Sequence, residues 1–104
     1  MKRLIQFPLV LHPTYYREGF FNVRKPFEGY FGDHGEEMTL FLGNDAHPIL
    51  GSINRNSANK NHTPRIYGRT ALADWFSRNF AEKDEITVEV ISPTSIRLRS
   101  NQSV

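Results

Sequence analysis

The stretch KDEITVEVISPTSIRL, Lys83–Leu98, decides the fold, because its side chains alternate between apolar and polar on both sides of a turn. The apolar side chains stand at alternate positions in each half: Ile86, Val88, Val90, Ile96 and Leu98. A period of two places such residues on one face of a strand. The Pro and Ser residues of the segment Ser92–Ser95 are typical of a tight turn. The stretch therefore predicts a β-hairpin with one buried face.

The segment before this hairpin predicts an amphipathic helix that Thr70 caps and that ends at about Asn79. Its apolar side chains follow steps of three, one and four residues: Leu72, Trp75, Phe76 and Phe80. This spacing forms a single stripe, which is typical of packing against a core. We therefore expect Trp75 to be buried.

Short β-prone segments occupy much of the remaining chain: Ile5–Val10, Phe20–Val23, Glu37–Leu42, Pro48–Ile53 and Arg65–Tyr67. A short helical turn is expected over Lys25–Phe31, where Pro26 favours a helix start. The segment His12–Gly19 (HPTYYREG) contains Pro and Gly near its ends and lacks apolar periodicity, which predicts a loop or arm. With the terminal hairpin, these segments predict a mainly β fold with two short helices, a seven-stranded open β-barrel. We expect one domain over 1–99 and a frayed tail over 100–104.

Composition excludes several classes of protein. The chain has 104 residues, enough for one domain with a single core. It has no cysteine, which excludes disulfides and thiolate metal sites and fits a cytoplasmic location. No apolar run reaches the length of a membrane span. The apolar residues near the start are interrupted by Pro8 and predict a strand rather than a secretion signal.

The stretch SINRNSANKNHTPRIYGR, Ser52–Arg69, carries most of the functional signal. It holds four cationic side chains, four asparagines and His62, and it contains no acidic residue. Arginine binds guanine edges and phosphates with paired hydrogen bonds, and asparagine binds adenine in the same way. A polar hairpin tip is the alternative interpretation, because Asn and Ser are also common in turns. The net charge is +2, and the acidic residues lie elsewhere in the chain, so the positive field is local.

Catalytic and metal-binding patterns are weak. The four histidines lie in four different predicted loops and have no ligand-like spacing: His12, His34, His47 and His62. The dense acidic cluster Glu82–Glu85 falls on a predicted polar turn between a helix and a strand. We therefore expect a non-catalytic chain without a metal site or a cofactor.

The order of elements and four sequence strings resemble the DNA-binding pseudobarrel superfamily. The strings are GFFNVRKPFEGYFG (Gly19–Gly32), EMTLFLG (Glu37–Gly43), TPRIYGRTALADWF (Thr63–Phe76) and the hairpin stretch Lys83–Leu98. The superfamily includes the plant "B-three" transcription-factor domains and the specificity domains of EcoRII-type bacterial restriction endonucleases. Its members have a Gly-Asp or similar acidic turn before the last hairpin. Here Asp84 matches that turn, and Lys83 stands where Gly is common.

The resemblance implies binding in the major groove of duplex DNA through two arms. The first arm maps onto His12–Gly19, and the second arm maps onto Asn54–Arg65. The DNA-binding candidates in the first arm are Thr14, Tyr15, Tyr16 and Arg17. Those in the second arm are Arg55, Asn56, Ser57, Asn59, Lys60, Asn61 and His62. The phosphate-anchoring candidates are Arg24, Lys25 and Arg65.

The leading hypothesis is a sequence-specific double-stranded DNA-binding domain that serves as the recognition module of a restriction-modification system. Its expected partners are duplex DNA and a nuclease or methyltransferase, with no membrane. One alternative is a small barrel that binds RNA or single strands and uses Tyr15, Tyr16 and Phe20 as stacking platforms. The other alternative is a protein-interaction domain without nucleic acid, for which an exposed apolar patch would be expected.

Overall fold

The computed structural model describes residues 5–55 and 63–101. In this part of the chain, seven strands form one sheet, and two α-helices and a 3₁₀ helix connect them. The strands are β1 (Ile5–Val10), β2 (Phe20–Asn22), β3 (Glu37–Leu42), β4 (Ile49–Asn54), β5 (Arg65–Tyr67), β6 (Glu85–Ser92) and β7 (Ser95–Ser100). The helices are α1 (Pro13–Glu18), the 3₁₀ helix (Lys25–Tyr30) and α2 (Arg69–Asn79).

The strands follow the order β1-β6-β7-β3-β4-β5-β2, so β1 and β2 form the two edges of the sheet. Every neighbouring pair is antiparallel except β3 and β7, which are parallel. The sheet curls until residues of β1 and β2 line one cleft of about 340 Å³. The result is an open, barrel-like sheet, which confirms the fold class expected from the sequence.

The alternating segments form the core, as the hairpin pattern predicts. The inward side chains of β3, β6 and β7 are all buried: Met38, Leu40, Leu42, Ile86, Val88, Val90, Ile96 and Leu98. From α2, Leu72 and Phe76 join the same cluster. Burial of this apolar surface is the main favourable term that stabilises the sheet in its curled form.

Residues 13–18 form a helix, so the prediction of a loop over His12–Gly19 was wrong. Pro13 occupies the first turn of α1, where its missing N–H costs no hydrogen bond. Gly19 ends the helix in the left-handed conformation, with φ of 74°, and its N–H donates to the Tyr15 carbonyl. Pro at the start and Gly just past the end are the normal boundaries of a helix. Six residues are too few for a detectable apolar period, and packing of α1 on α2 supplies the stability.

Two predictions about α2 were also wrong. Gly68 occupies the N-cap position, no side-chain cap is formed, and Thr70 is exposed within the first turn. Trp75 is half-buried rather than buried. Positions 72 and 76 are four apart and face the core together. Position 75 lies at the border of that face, where the Trp75 ring packs against Phe76 and Phe80.

The turn between α2 and β6 places Lys83 at φ of 74°, the region that favours glycine. The backbone N–H of Lys83 donates to the Leu11 carbonyl at 2.7 Å. The Asp84 carboxylate accepts from the Ala81 N–H at 2.9 Å. Lys83 therefore has a left-handed backbone at the position where the resemblance noted in the sequence has glycine.

The last strand extends further than expected, because Ser100 belongs to β7 and pairs with Ile86. The Asn101 amide donates to the Glu85 carboxylate at 2.8 Å, which holds the end of β7 against β6. Residues 102–104 of the expected tail lie outside the described ranges. Among the helices of residues 5–55 and 63–101, none is long and apolar enough to cross a membrane.

Candidate nucleic-acid interface

Three neighbouring strands bring polar side chains together beside the start and end of the second arm. Arg65, the first residue of β5, is in register with Asn22 on β2 and with Asn54 on β4. In-register residues of adjacent strands point to the same face of a sheet. A row of one arginine flanked by two asparagines therefore lies where the second arm leaves and rejoins the sheet.

Arg65 is held in a fixed orientation within this row. Its Nε donates to the Asn22 side-chain oxygen at 2.8 Å. Its guanidinium lies over the Phe20 ring, with 4.3 Å between the guanidinium carbon and the ring centroid. Both contacts reduce the entropy that this long side chain would lose on binding a ligand. The position supports the prediction that Arg65 anchors phosphate, without testing it.

Arg55 follows β4 and is the last described residue before position 63. Its side chain donates hydrogen bonds to the backbone. Its Nε donates to the Gly32 carbonyl at 2.9 Å, and one Nη donates to the carbonyls of Glu28 and Phe31 at 3.0 Å. The side chain is 21% exposed. The guanidinium thus satisfies carbonyls at the end of the 3₁₀ helix, which gives Arg55 a structural role that composition does not reveal.

The other candidates of the second arm lie outside the described residues: Asn56, Ser57, Asn59, Lys60, Asn61 and His62. Their predicted contacts with DNA stay predictions. The residues that follow them are firmly placed, since Thr63 and Pro64 are buried. The Val23 N–H donates to the Pro64 carbonyl at 2.8 Å, which ties this end of the arm to the residue that follows β2.

The first-arm candidates divide into two pairs on α1. The hydroxyl of Tyr16 donates to the Phe80 carbonyl at 2.8 Å, so Tyr16 connects α1 to the end of α2. Tyr15 packs edge-on against His12 and Phe20. Thr14 and Arg17 are exposed. Of this set, Thr14 and Arg17 are accessible to a ligand, while the two tyrosines hold the helix in place.

The remaining phosphate-anchoring candidates lie at the start of the 3₁₀ helix: Arg24 precedes it, and Lys25 is its first residue. Arg24 is exposed and shares the cleft between β1 and β2 with His12, Tyr15 and Asn22. The Lys25 ammonium lies 3.4 Å from the Glu28 carboxylate, and the Lys25 side chain is 64% exposed. A surface ion pair of this kind is weak and exchanges readily for a contact with phosphate. Both cations lie just beyond Asn22, the β2 partner of Arg65.

Arg69 is a cation that the sequence-based set of candidates omitted. It is exposed, and its guanidinium lies over the Tyr67 ring at 4.7 Å from the centroid. The signal that could have identified it is the acid-free stretch itself, which continues to Arg69.

Acidic side chains form no metal centre in the described ranges. Across residues 5–55 and 63–101, no group of three or more His, Asp or Glu side chains is arranged to hold a metal ion. Asp84 holds the turn before β6, and Glu85 accepts from Asn101. The acidic cluster Glu82–Glu85 therefore includes two carboxylates that maintain local structure.

A solved structure with a similar fold is the N-terminal domain of Helicobacter pylori LlaJI.R1. The TM-score is 0.66 at 12% sequence identity, and the match covers 90% of this chain and 78% of that chain. At this identity the similarity establishes a shared fold. No protein-family model and no curated protein matches the sequence.

Proposed function

We propose that this chain is a sequence-specific double-stranded DNA-binding domain. The observation that carries the proposal is the row of Asn22, Arg65 and Asn54 beside both ends of an acid-free segment. Local positive charge attracts the phosphate backbone, and it does so even where the net charge of the protein is small. The barrel-like fold and the resemblance of its sequence strings to the pseudobarrel superfamily support the same function.

Major-groove reading by two arms is the proposed mode of binding. The second arm supplies the side chains whose donor and acceptor geometry matches base edges, mainly the asparagines of 56–61. The first arm supplies the exposed Thr14 and Arg17 of α1. Arg24, Lys25 and Arg65 bind phosphate, because they follow or flank the strand ends beside the second arm. Phosphate contacts fix the register of the protein on the duplex, and base contacts determine the sequence that is bound.

The packing of the aromatic residues favours a duplex over a single strand. A stacking platform needs an accessible ring face. The Phe20 ring is 8% exposed and is covered by Arg65 and Tyr15. The hydroxyl of Tyr16 is bonded to the end of α2. Phe20, Tyr15 and Tyr16 are engaged in packing within the fold, which supports a duplex over unpaired bases as the ligand.

Gel-shift titrations with random duplex, single-stranded DNA and RNA of equal length test this proposal. We expect duplex to bind most tightly, because the rings that could stack on unpaired bases are engaged in packing within the fold. Equal or tighter binding of single-stranded DNA or RNA would contradict the proposal. Absence of binding to all three nucleic acids would contradict it as well.

The proposed biological role is recognition within a restriction-modification system, with a nuclease or methyltransferase as the partner that acts on the DNA. In this role the chain binds without cutting and needs no cofactor. Incubation of the pure chain with plasmid DNA and Mg²⁺ should leave the plasmid intact. Metal-dependent cleavage that Asp84→Ala abolishes would contradict the non-catalytic role.

A further inference from the structure

Two arginines next to the second arm are stacked on neighbouring aromatic rings. Arg65 lies over Phe20 at 4.3 Å, and Arg69 lies over Tyr67 at 4.7 Å. Phe20 and Tyr67 are paired in register, and their ring centroids are 5.7 Å apart. These four side chains contact one another in a continuous row, here called the stacked ridge, from the end of the second arm to the start of α2.

The two arginines and Tyr67 of the stacked ridge are accessible from outside, while Phe20 lies beneath Arg65. Ile66, between its two members on β5, is fully buried, so Arg65 and Tyr67 point to the opposite face of the sheet. Within residues 5–55 and 63–101, no carboxylate lies within 4 Å of either guanidinium as an ion pair. Two oriented cations without acidic partners form a surface that suits an anion with repeated charges.

The backbone of Arg69 provides a second, independent observation. Its φ is 57°, in the left-handed region where an L side chain is strained. The conformation is enforced, because the N–H groups of Gly68 and Arg69 both donate to the Gly19 carbonyl at 2.8 Å. Glycine would occupy position 69 with less strain, yet the chain has arginine there. Strain that a fold maintains at one position is typical of functional sites.

Glu37 is an acidic side chain that borders the same surface. It lines a shallow depression on β3, β4 and β5 together with Ser52 and Arg69. Because β4 lies between β3 and β5, the backbones of β3 and β5 are about 9–10 Å apart. A polyanion therefore fits along β5 rather than across the sheet towards β3.

We propose that the stacked ridge binds the phosphate backbone of duplex DNA and that Arg69 is its principal contact. The inference rests on the proposed function and extends it, because it adds a phosphate-binding surface beyond the second arm. Stacking on Tyr67 orients the Arg69 guanidinium before DNA arrives, so less side-chain entropy is lost on binding. The arginine at this strained position supplies a cation for the contact with phosphate.

The test combines two neutral substitutions of Arg69 with a matched control. Arg69→Gly and Arg69→Asn both suit a left-handed backbone, so neither variant should unfold. Among the described residues, Lys83 is the other non-glycine residue with a positive φ. Lys83→Gly is therefore the matched control, since it also removes one cation from a left-handed position. Lys83 stands between Glu82 and Asp84 in the turn before β6 and belongs to none of the stacked side-chain pairs. Thermal unfolding and duplex binding at several salt concentrations are measured for these three variants and for Arg69→Lys, which keeps the positive charge.

We expect Arg69→Gly and Arg69→Asn to unfold at or above the temperature of the original chain. Their affinity for any duplex should fall on the order of tenfold, as expected for one charge-assisted contact. The slope of log K against log salt should become about 0.9 shallower. Lys83→Gly should leave the affinity and the salt slope unchanged. Arg69→Lys keeps the positive charge, so its salt slope should equal that of the original chain.

Unchanged affinity and slope in both neutral variants of Arg69 would overturn the inference while leaving the proposed function intact. An equal loss of affinity in Lys83→Gly would also overturn it, because the effect would then reflect total charge. Failure of the original chain to bind any duplex would overturn the inference and the proposed function together.

Discussion

Lys83 adopts a left-handed backbone without an evident binding role, so its strain affects stability alone. An L side chain in this region costs about 1–2 kcal/mol. Glycine also raises the entropy of the unfolded chain, which offsets part of the gain. We expect Lys83→Gly to increase the free energy of unfolding by about 0.5–1 kcal/mol, measured by urea denaturation. A loss of stability would show that the turn depends on a contact of the Lys83 side chain.

The sequence predicts Arg55 as a contact with DNA, whereas its side chain binds the backbone of the fold. Its guanidinium donates to three carbonyls at the end of the 3₁₀ helix. Arg55→Ala should therefore lower the free energy of unfolding by about 2–3 kcal/mol. Arg17→Ala is the control, because Arg17 is exposed and the change should stay within about 0.5 kcal/mol. Equal stability of both variants would contradict the structural role of Arg55.

Asn59 and Lys25 separate base reading from backbone anchoring. Asparagine matches an adenine edge, so Asn59→Ala should cost about 1–3 kcal/mol on the preferred duplex and much less on random duplex. Lys25→Ala should weaken both duplexes equally, because phosphate carries no sequence information. Competition titrations with the two duplexes measure the ratio of the affinity for the preferred duplex to the affinity for random duplex. If Asn59→Ala leaves this affinity ratio unchanged, the second arm binds DNA only through charge.

At the scale of elements, the border position of Trp75 on α2 sets its contribution to stability. Phe76 faces the core and is fully buried, whereas Trp75 is half-buried. Phe76→Ala should cost about 3–5 kcal/mol. Trp75→Ala should cost less, although it removes a larger side chain. Thermal or urea denaturation compares the stabilities of the two variants. A larger loss of stability in Trp75→Ala than in Phe76→Ala would contradict the orientation of α2.

Elements with a strong period were predictable from the sequence, and elements without one were not. Residues Glu37–Leu42 and the terminal hairpin alternate clearly, and their inward faces are buried as expected. The helix α1 has six residues, so its identity depends on Pro13, Gly19 and packing against α2 rather than on periodicity. In the candidate site, composition identified the acid-free segment. The guanidinium contacts of Arg55 join residues more than 20 positions apart, so only the folded chain reveals them.

For the whole molecule, the proposed interface predicts a strong dependence of binding on salt. If about five to seven cations contact phosphates, log K should fall against log salt with a slope of about −4 to −6. The cations include Arg24, Lys25, Arg65 and Arg69, together with those of the two arms. Titrations of duplex binding between low and moderate salt measure the slope. A slope near zero would exclude phosphate contacts as the basis of binding.

Selection of bound sequences from a random duplex library tests the central claim of sequence-specific recognition most directly. We expect the original chain to enrich one short duplex motif over successive rounds, since the second arm offers base-edge donors and acceptors. We also expect Asn59→Ala to broaden this motif at one or two positions and Lys25→Ala to leave it unchanged. Binding that enriches no motif would contradict sequence-specific recognition and would make this domain a binder of duplex backbone alone.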